Sequence, residues 1–290
     1  MANVAIVTES VASIPKSMMD SLNIHWVPLY IHRGTEVLRD LVTVQSDEFY
    51  QWMMTARELP KTATPGLGEF MQLYETLAVR DGIKEIVSIH ITSKGSAVYQ
   101  AAVAARDAIK EKLPELKIEV IETLNVSMCE GWMAIEAARA ALAGKSMAEV
   151  VDVVRKMIPV TRMIQTADTL KYLFMGGRIG KASHLVGSLL NLRPLISMED
   201  GIIVPLGVAR SRHRSYEMIV ELIEKALKPG EQIKIAYVHA GAREEAEKLR
   251  ALVHRRVPVV EELYAELSPV LGVHSGPGTV GVCYYPVREG

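Results

Sequence analysis

Residues 85–112 read EIVSIHITSKGSAVYQAAVAARDAIKEK, and their pattern indicates the fold class. Its first seven residues are rich in Ile and Val, which predicts a buried strand at 85–91. A Ser/Gly turn follows, and the next apolar residues recur at helical spacing, which predicts a helix over 96–112. Another strand is predicted at 117–121. A strand, a helix and a strand in succession indicate a βαβ unit and therefore a parallel sheet.

The first half of the chain repeats this alternation on both sides of that unit. Further strands are predicted at 4–8 and 25–30, and helices are predicted to start at Ser46, to run from Gly66 towards Val79, and to span 126–142 and 146–157. We therefore expect an N-terminal α/β domain at residues 1–155 whose sheet is mostly parallel.

The second half follows a different pattern that includes antiparallel pairing. Apolar runs at 194–198 and 202–205 flank Asp200-Gly201, and Asp-Gly between apolar runs is typical of a β-hairpin. The remaining elements are strands predicted at 162–165, 232–239, 257–263 and 280–284, and helices predicted through Tyr172, at 211–227 and at 242–255. This predicts a C-terminal α+β domain at residues 156–290, and an α/β protein of two domains overall.

Composition excludes several classes of protein. Of the 290 residues, 49% are hydrophobic and 23% are charged, which is typical of a globular protein with a real core. The 33 Lys and Arg residues balance 34 Asp and Glu residues, so no nucleic-acid partner is expected. Cys129 and Cys283 lack metal-ligand spacing, so no metal site is expected. No apolar run approaches the ~18 residues of a membrane span, and the N-terminus reads as a strand, so we expect no stable membrane insertion and a cytoplasmic location.

Two hydroxyl-rich turns are candidate anion sites. One is 62–66 (TATPG), which enters a predicted helix, and the other is 91–96 (ITSKGS), which follows a predicted strand. Hydroxyls and free amides at a helix start suit an anion, and ligands gather at the carboxyl ends of parallel strands. Each turn can equally be a helix cap, with Ser96 as the cap in the second. A Gly-x-Ser-x-Gly nucleophile elbow is excluded because Ile91 stands where its first glycine belongs.

Three further segments are candidates for a functional role, and Arg178 and Arg210 are candidates for binding an anion. Arg178 follows two glycines that let the backbone approach a ligand, although a helix end with a surface arginine explains it equally well. Arg210 lies with two other arginines around a predicted helix start, where cations oppose the helix dipole, and a solvated basic face is the alternative. His274 begins a stretch, HSGPGTVG, that contains G-x-G-x-x-G. That stretch leads into a strand rather than a helix, so dinucleotide binding is rejected.

In this order and spacing, the segments resemble the DegV family over nearly the whole chain. The matching residues are 6–10 (IVTES), 62–65 (TATP), 91–99, 173–179, 188–194 (SLLNLRP), Asp200-Gly201, Arg210 and 274–278 (HSGPG). The resemblance implies a two-domain α/β protein that buries a long-chain fatty acid in an internal tunnel. It also implies a binding subunit of a fatty-acid kinase, which converts the bound acid to an acyl-phosphate.

The resemblance also implies residue roles. Thr62 and Ser93 resemble the family's carboxylate-holding hydroxyls, helped by the backbone at Lys94 and Gly95. Arg210 and His274 resemble its polar pair near the reacting head group, and Arg178 belongs to the matching Gly-Gly-Arg segment. The chain departs from the family at Glu9, usually aspartate, at Ala63 and Gly66, usually serine, and at 95–98 (GSAV), usually Leu-Ser-Gly-Thr.

We therefore expect a carrier with no catalytic residue, cofactor or metal of its own. Two alternatives stay open, namely an enzyme using Ser93 as nucleophile and His274 as base, and a lipid-responsive regulator. Leu185, Val186, Leu189 and Leu190 are candidates for the tunnel wall, although apolar residues at helical spacing are usually plain core.

Overall fold

The computed structural model describes residues 4–186 and 192–288. Its strands are β1 (Val4–Glu9), β2 (Ile24–Val27), β3 (Tyr30–Arg33), β4 (Glu36–Arg39), β5 (Lys61–Ala63), β6 (Glu85–His90), β7 (Lys117–Glu122), β8 (Arg162–Thr166), β9 (Arg193–Glu199), β10 (Ile202–Ala209), β11 (Glu231–His239), β12 (Val259–Glu266) and β13 (Val280–Arg288). Its helices are α1 (Lys16–Ser21), α2 (Ser46–Met53), α3 (Leu67–Val79), α4 (Val98–Lys112), α5 (Met128–Leu142), α6 (Met147–Met157), α7 (Lys171–Met175), α8 (Arg212–Ala226), α9 (Arg243–Val253) and α10 (Pro269–Ser275).

The N-terminal sheet is parallel, as predicted. Its strand order is β2-β1-β6-β7, and every neighbouring pair runs in the same direction. All six residues of β1 are buried, which fits a central strand covered on both faces. The carboxyl ends of β1, β6 and β7 therefore meet at one edge, where the turn at 91–96 begins.

The strand predicted at 25–30 was wrong, because this segment holds parts of two strands in different sheets. Strand β2 ends at Val27, and β3 begins at Tyr30 in a small antiparallel sheet of order β4-β3-β5. Pro28 stands between them, and proline has no N–H to donate to a ladder. Thr62 lies in β5 opposite Ile31, and not in a turn that enters a helix.

The C-terminal sheet is mixed, with strand order β10-β9-β8-β13-β11-β12. Only its β11–β12 pair is parallel among the described pairings, and the predicted hairpin is confirmed as β9 and β10. Asp200 and Gly201 at its tip have φ angles of 49° and 75°, which a primed hairpin turn requires.

One hydrophobic core joins the two large sheets. It contains Trp132 and its neighbours on α5 together with Cys283 and Tyr285 of β13. The indole of Trp132 donates to the carbonyl of Cys283 at 3.1 Å and meets the ring of Tyr285 edge-on. The division predicted between residues 155 and 156 falls inside α6, two residues before that helix ends. Across residues 4–186 and 192–288, no helix combines the length and apolar character needed to cross a bilayer.

Candidate functional site

A cavity of about 540 Å³ lies between the N-terminal and C-terminal halves of the chain. This volume is within the usual range of small-molecule sites. Its buried wall is largely apolar, with Val11, Leu29, Ile91, Met163, Ile196, Leu267 and Val270 among the lining residues. Alternate residues of β8 and β9 supply one part of this wall, because side chains two positions apart on a strand share a face. The cavity therefore offers a long apolar ligand a place away from water.

The rim of the cavity is exposed and carries two cations. The Nζ of Lys94 donates to the carbonyl of Asp200 at 2.7 Å, and Arg178 donates to the carbonyls of Gly95 and Gly176 at 3.3 and 2.6 Å. Neither cation forms an ion pair with a carboxylate of the described residues. An ammonium has three donors and a guanidinium five, so both retain donors for an anion. The rim thus offers donors to an anion, whereas the wall is largely apolar.

Thr62 and His274 meet on the cavity wall. The Oγ1 of Thr62 and the Nε2 of His274 lie 2.9 Å apart, and both residues line the cavity. Burial, assisted by the positive charge of Arg178, lowers the pKa of His274 to about 4, so the imidazole is neutral near pH 7. Its buried Nδ1 has no hydrogen-bond partner in the described part of the chain. Among these residues, no carboxylate is hydrogen-bonded to His274 in the way that would orient a catalytic base.

The amides of the turn at 93–96 are already paired within the protein. Ser93 donates its N–H to the Glu122 carboxylate at 2.7 Å, and the N–H of Lys94 lies 3.3 Å from the Oγ1 of Thr92. The next two amides, of Gly95 and Ser96, donate to the carbonyl of Thr92. The backbone at Lys94 and Gly95 therefore has no spare donor for the carboxylate contact that the resemblance implies. The donors that this turn presents to the cavity are therefore side chains, the ammonium of Lys94 and the hydroxyl of Ser96.

Several residues that the sequence predicted to belong to the site or its turns lie elsewhere in the structure. Ser93 is not among the residues that line the cavity, and Arg210 is exposed and lies outside the wall. Ser96 does not cap a helix, since α4 begins at Val98, and its hydroxyl lies 3.4 Å from that of Thr64. Leu185 and Val186 pack against the small cluster around Leu170, Leu173 and Ala182 and not on the cavity. Leu189 and Leu190 lie outside the described residues.

A buried acid, which the sequence analysis singled out only as a departure from the family, supports the turn at 91–96. Glu9, at the end of β1, accepts the N–H of Ile91 at 3.0 Å and binds the Nδ1 of His90 at 2.5 Å. The Nε2 of His90 in turn bonds the hydroxyl of Ser88 at 2.6 Å, and Ser88 bonds Tyr74 at 2.8 Å. Buried polar groups of this kind are retained when every member is hydrogen-bonded. The network fixes where β6 ends and therefore where the turn projects.

The hairpin tip closes over the same turn. The hydroxyl of Thr92 donates to the carbonyl of Gly201 at 3.1 Å, next to the contact between Lys94 and Asp200. A Cβ at Gly201 would come within 2.3 Å of the Thr92 hydroxyl, so the close approach requires glycine there. These contacts connect the two halves at the rim.

Comparison with known proteins identifies relatives over the full chain. A family model described as an uncharacterised protein of the DegV family matches residues 3–287. A DegV domain-containing protein of Clostridium perfringens is 33% identical over 282 residues, covering 97% of this chain and 98% of that protein. The solved structure of a Thermus thermophilus DegV-family protein, described with fatty acid binding, has a TM-score of 0.91 at 26% identity and covers 98% of this chain and 99% of its own. That of Bacillus subtilis DegV, described as a fatty acid binding protein, has a TM-score of 0.87 at 29% identity with the same coverage.

Proposed function

Since the chain belongs to the DegV family, we propose that it binds a long-chain fatty acid in its cavity and presents the carboxylate to a partner kinase. The kinase would phosphorylate that carboxylate with ATP to give an acyl-phosphate and ADP, in the cytoplasm. The observation that carries the proposal is an apolar cavity between the two halves whose rim is cationic. The solved relatives described as fatty acid binding proteins support the same ligand class.

The energetics of an acyl chain suit this cavity. Burying a methylene is worth ~0.8 kcal/mol, so a chain of ~15 carbons offers ~12 kcal/mol before the costs of ordering. A carboxylate cannot be buried without donors, which places the head group towards the cations of the rim. We expect the chain to lie along the apolar wall, with the carboxylate among Thr62, His274, Lys94 and Arg178.

The hydrogen bond between Thr62 and His274 sets how the head group would be held. Because Nδ1 of His274 has no hydrogen-bond partner among residues 4–186 and 192–288, we assign the ring proton to Nε2, where the Thr62 oxygen accepts it. The hydroxyl proton of Thr62 is then free to donate to the ligand carboxylate. Ser93 and Arg210 stay predictions from the resemblance, and the exposure of Arg210 outside the cavity lining is compatible with a contact to the proposed kinase.

The geometry favours this carrier over an enzyme acting alone. A Ser93–His274 nucleophile pair would need the imidazole against the serine hydroxyl. The Nε2 of His274 is bonded to Thr62 instead, and Ser93 does not line the cavity. A lipid-responsive regulator would use the same cavity and would differ by not supporting phosphorylation.

The test has two steps. The purified chain, stripped of lipid, is titrated with stearic acid, and one equivalent should bind. The complex is then incubated with ATP and the fatty-acid kinase of the same organism, and acyl-phosphate is trapped with hydroxylamine. Product only when chain, kinase and acid are all present supports the carrier. Product without kinase supports the enzyme, and tight binding without any product supports the regulator.

A further inference from the structure

Gln165 is a polar residue on the buried cavity wall. It lies on β8, lines the cavity and is 6% exposed. On the same face of the sheet are Met163, two residues earlier, and Ile196, its register partner on β9. In the described ranges its side-chain amide has no hydrogen-bond partner. A polar side chain thus faces the cavity from a wall that is apolar on both sides of it.

The sheet makes room for this side chain. Gly281 of β13 is the register partner of Gln165 on its other side. A Cβ at Gly281 would come within 2.5 Å of the Cγ of Gln165 and 2.4 Å of the carbonyl of Ile164. A glycine inside a strand marks such a close approach. A residue larger than glycine at position 281 would therefore collide with the side chain of Gln165.

An unpaired amide in this position penalises a purely apolar ligand. A saturated chain that covers the amide removes it from water without a hydrogen bond in return, which is unfavourable. We do not expect the ligand carboxylate to be the partner of this amide, because the cations that suit a carboxylate lie at the exposed rim. An amide both donates and accepts, and so does a hydroxyl, which makes an alcohol the matching neutral group.

We propose that Gln165 forms a second polar subsite that recognises a hydroxyl group on the acyl chain of the ligand. The preferred ligand is then a hydroxylated fatty acid rather than a plain saturated one. The inference rests on the proposed function, since the rim must hold the carboxylate for the chain to pass Gln165.

The test compares stearic acid with a set of hydroxystearic acids that carry the hydroxyl at different carbons. Wild-type protein should bind one isomer, or two with neighbouring positions, about three- to tenfold more tightly than stearic acid, the effect of one neutral hydrogen bond. Gln165→Leu, close in volume, should remove this preference and bind stearic acid more tightly than wild type. Equal affinity of the wild type for stearic acid and every isomer would overturn the subsite, as would a preference that survives in Gln165→Leu.

Two controls keep the result interpretable. Gln165→Met provides an unbranched apolar replacement if leucine does not fold, and Gln100→Leu changes an exposed glutamine on α4 and should leave all affinities as in wild type. Failure of stearic acid and all isomers to bind contradicts the proposed function itself. Binding of stearic acid without isomer preference contradicts only the role of Gln165.

Discussion

The Thr62 hydroxyl and the His274 imidazole are hydrogen-bonded at 2.9 Å although they stand 212 positions apart in the chain. The bond connects β5 of the small sheet to α10, near the end of the second half. Both residues are thereby held on one wall of the cavity, where a ligand head group can reach them together.

Thr62→Val should weaken fatty acid binding while leaving the fold intact. Valine keeps the shape of threonine but cannot donate to a carboxylate, and hydrogen bonds to charged groups are worth about 1.5–3 kcal/mol. We expect the Kd for stearic acid to rise about tenfold, measured by calorimetric titration. Thr76→Val on α3, far from the cavity lining, is the matched control. An unchanged Kd for Thr62→Val would remove Thr62 from the site.

His274 should make the protein less stable in mild acid. Burial lowers its pKa to about 4, whereas in the unfolded chain it titrates near 6.5, so the unfolded state takes up the proton first. Stability is therefore full above pH 6.5 and declines as the pH falls towards 4. In His274→Gln, urea denaturation should show about 2–3 kcal/mol less of this decline. Burial also lowers the pKa of His239 to about 4. We therefore expect His239 to cause part of the decline in stability that remains in His274→Gln.

The exposed His213 provides the control for that experiment. His213→Gln should show the same decline as wild type, since its imidazole is largely in water. If His274→Gln and wild type lose stability equally between pH 7 and pH 4.5, then His274 is not held neutral by burial.

Asp40 should change the folding stability with pH in the opposite direction to His274. Burial raises the pKa of this carboxyl to about 6, so the folded state keeps a proton that the unfolded state loses near pH 4. The contribution of Asp40 to the free energy of unfolding therefore falls as the pH rises from about 4 to 6. Asp40→Asn keeps an oxygen for the N–H of Val270 on α10 and removes the charge. We expect the variant to be about 1–3 kcal/mol more stable than wild type at pH 8 and equal to it at pH 4.

The comparison is made by urea denaturation at both pH values. The exposed Asp20→Asn should show no such gain at pH 8, because its carboxylate is paired with Lys16 in solvent. A lower stability of Asp40→Asn at pH 8 would show that the buried carboxylate is stabilising in its charged form.

Gly201→Ala should lower the folding stability by more than the strain of a positive φ alone explains. Gly201 and Gly34 have φ angles of 75° and 62°, but a Cβ at Gly34 meets nothing within 4 Å, whereas one at Gly201 meets the Thr92 hydroxyl. Alanine at Gly34 therefore measures the backbone cost by itself, about 1 kcal/mol. We expect Gly201→Ala to lose about 1–2 kcal/mol more, and stearic acid to dissociate faster as the hairpin tip moves off Thr92.

The double variant Thr92→Ala/Gly201→Ala isolates the contact. Removing the hydroxyl relieves the collision, so the double variant should be more stable than Gly201→Ala alone. Equal losses for Gly34→Ala and Gly201→Ala would mean that the hairpin tip adapts without cost.

Much of the fold could be predicted because it depends on periodic patterns. The apolar run at 85–91 and the helical spacing after it give the parallel sheet, and Asp200-Gly201 gives the hairpin. The small sheet could not be found in this way, since β3, β4 and β5 are three or four residues long and carry no clear alternation. Helix α10 was missed although Ser268 and Pro269 are a typical helix start.

The site was predictable only where a residue type is unusual for its place. His274, Arg178 and Thr62 stood out because of neighbouring glycines, prolines and hydroxyls. Gln165 did not, and Glu9 stood out only as a departure from the family, because one polar residue in an apolar strand does not reveal whether it faces a cavity, a partner or solvent. The sequence also did not reveal that Ser93 and Arg210 lie outside the cavity lining. The pairing of the Ser93 amide with Glu122 depends on two strands whose alignment the sequence does not specify.

The shared core around Trp132 and β13 has a consequence for how a ligand in the cavity would be exchanged. Separating the two halves would expose that core to water, which is unfavourable. On the proposed function, we therefore expect exchange to use small local movements at the rim, where Lys94 and Arg178 contact backbone carbonyls. The exchange rate would then depend on the hairpin tip and on the turn that it contacts, and not on a separation of the two halves.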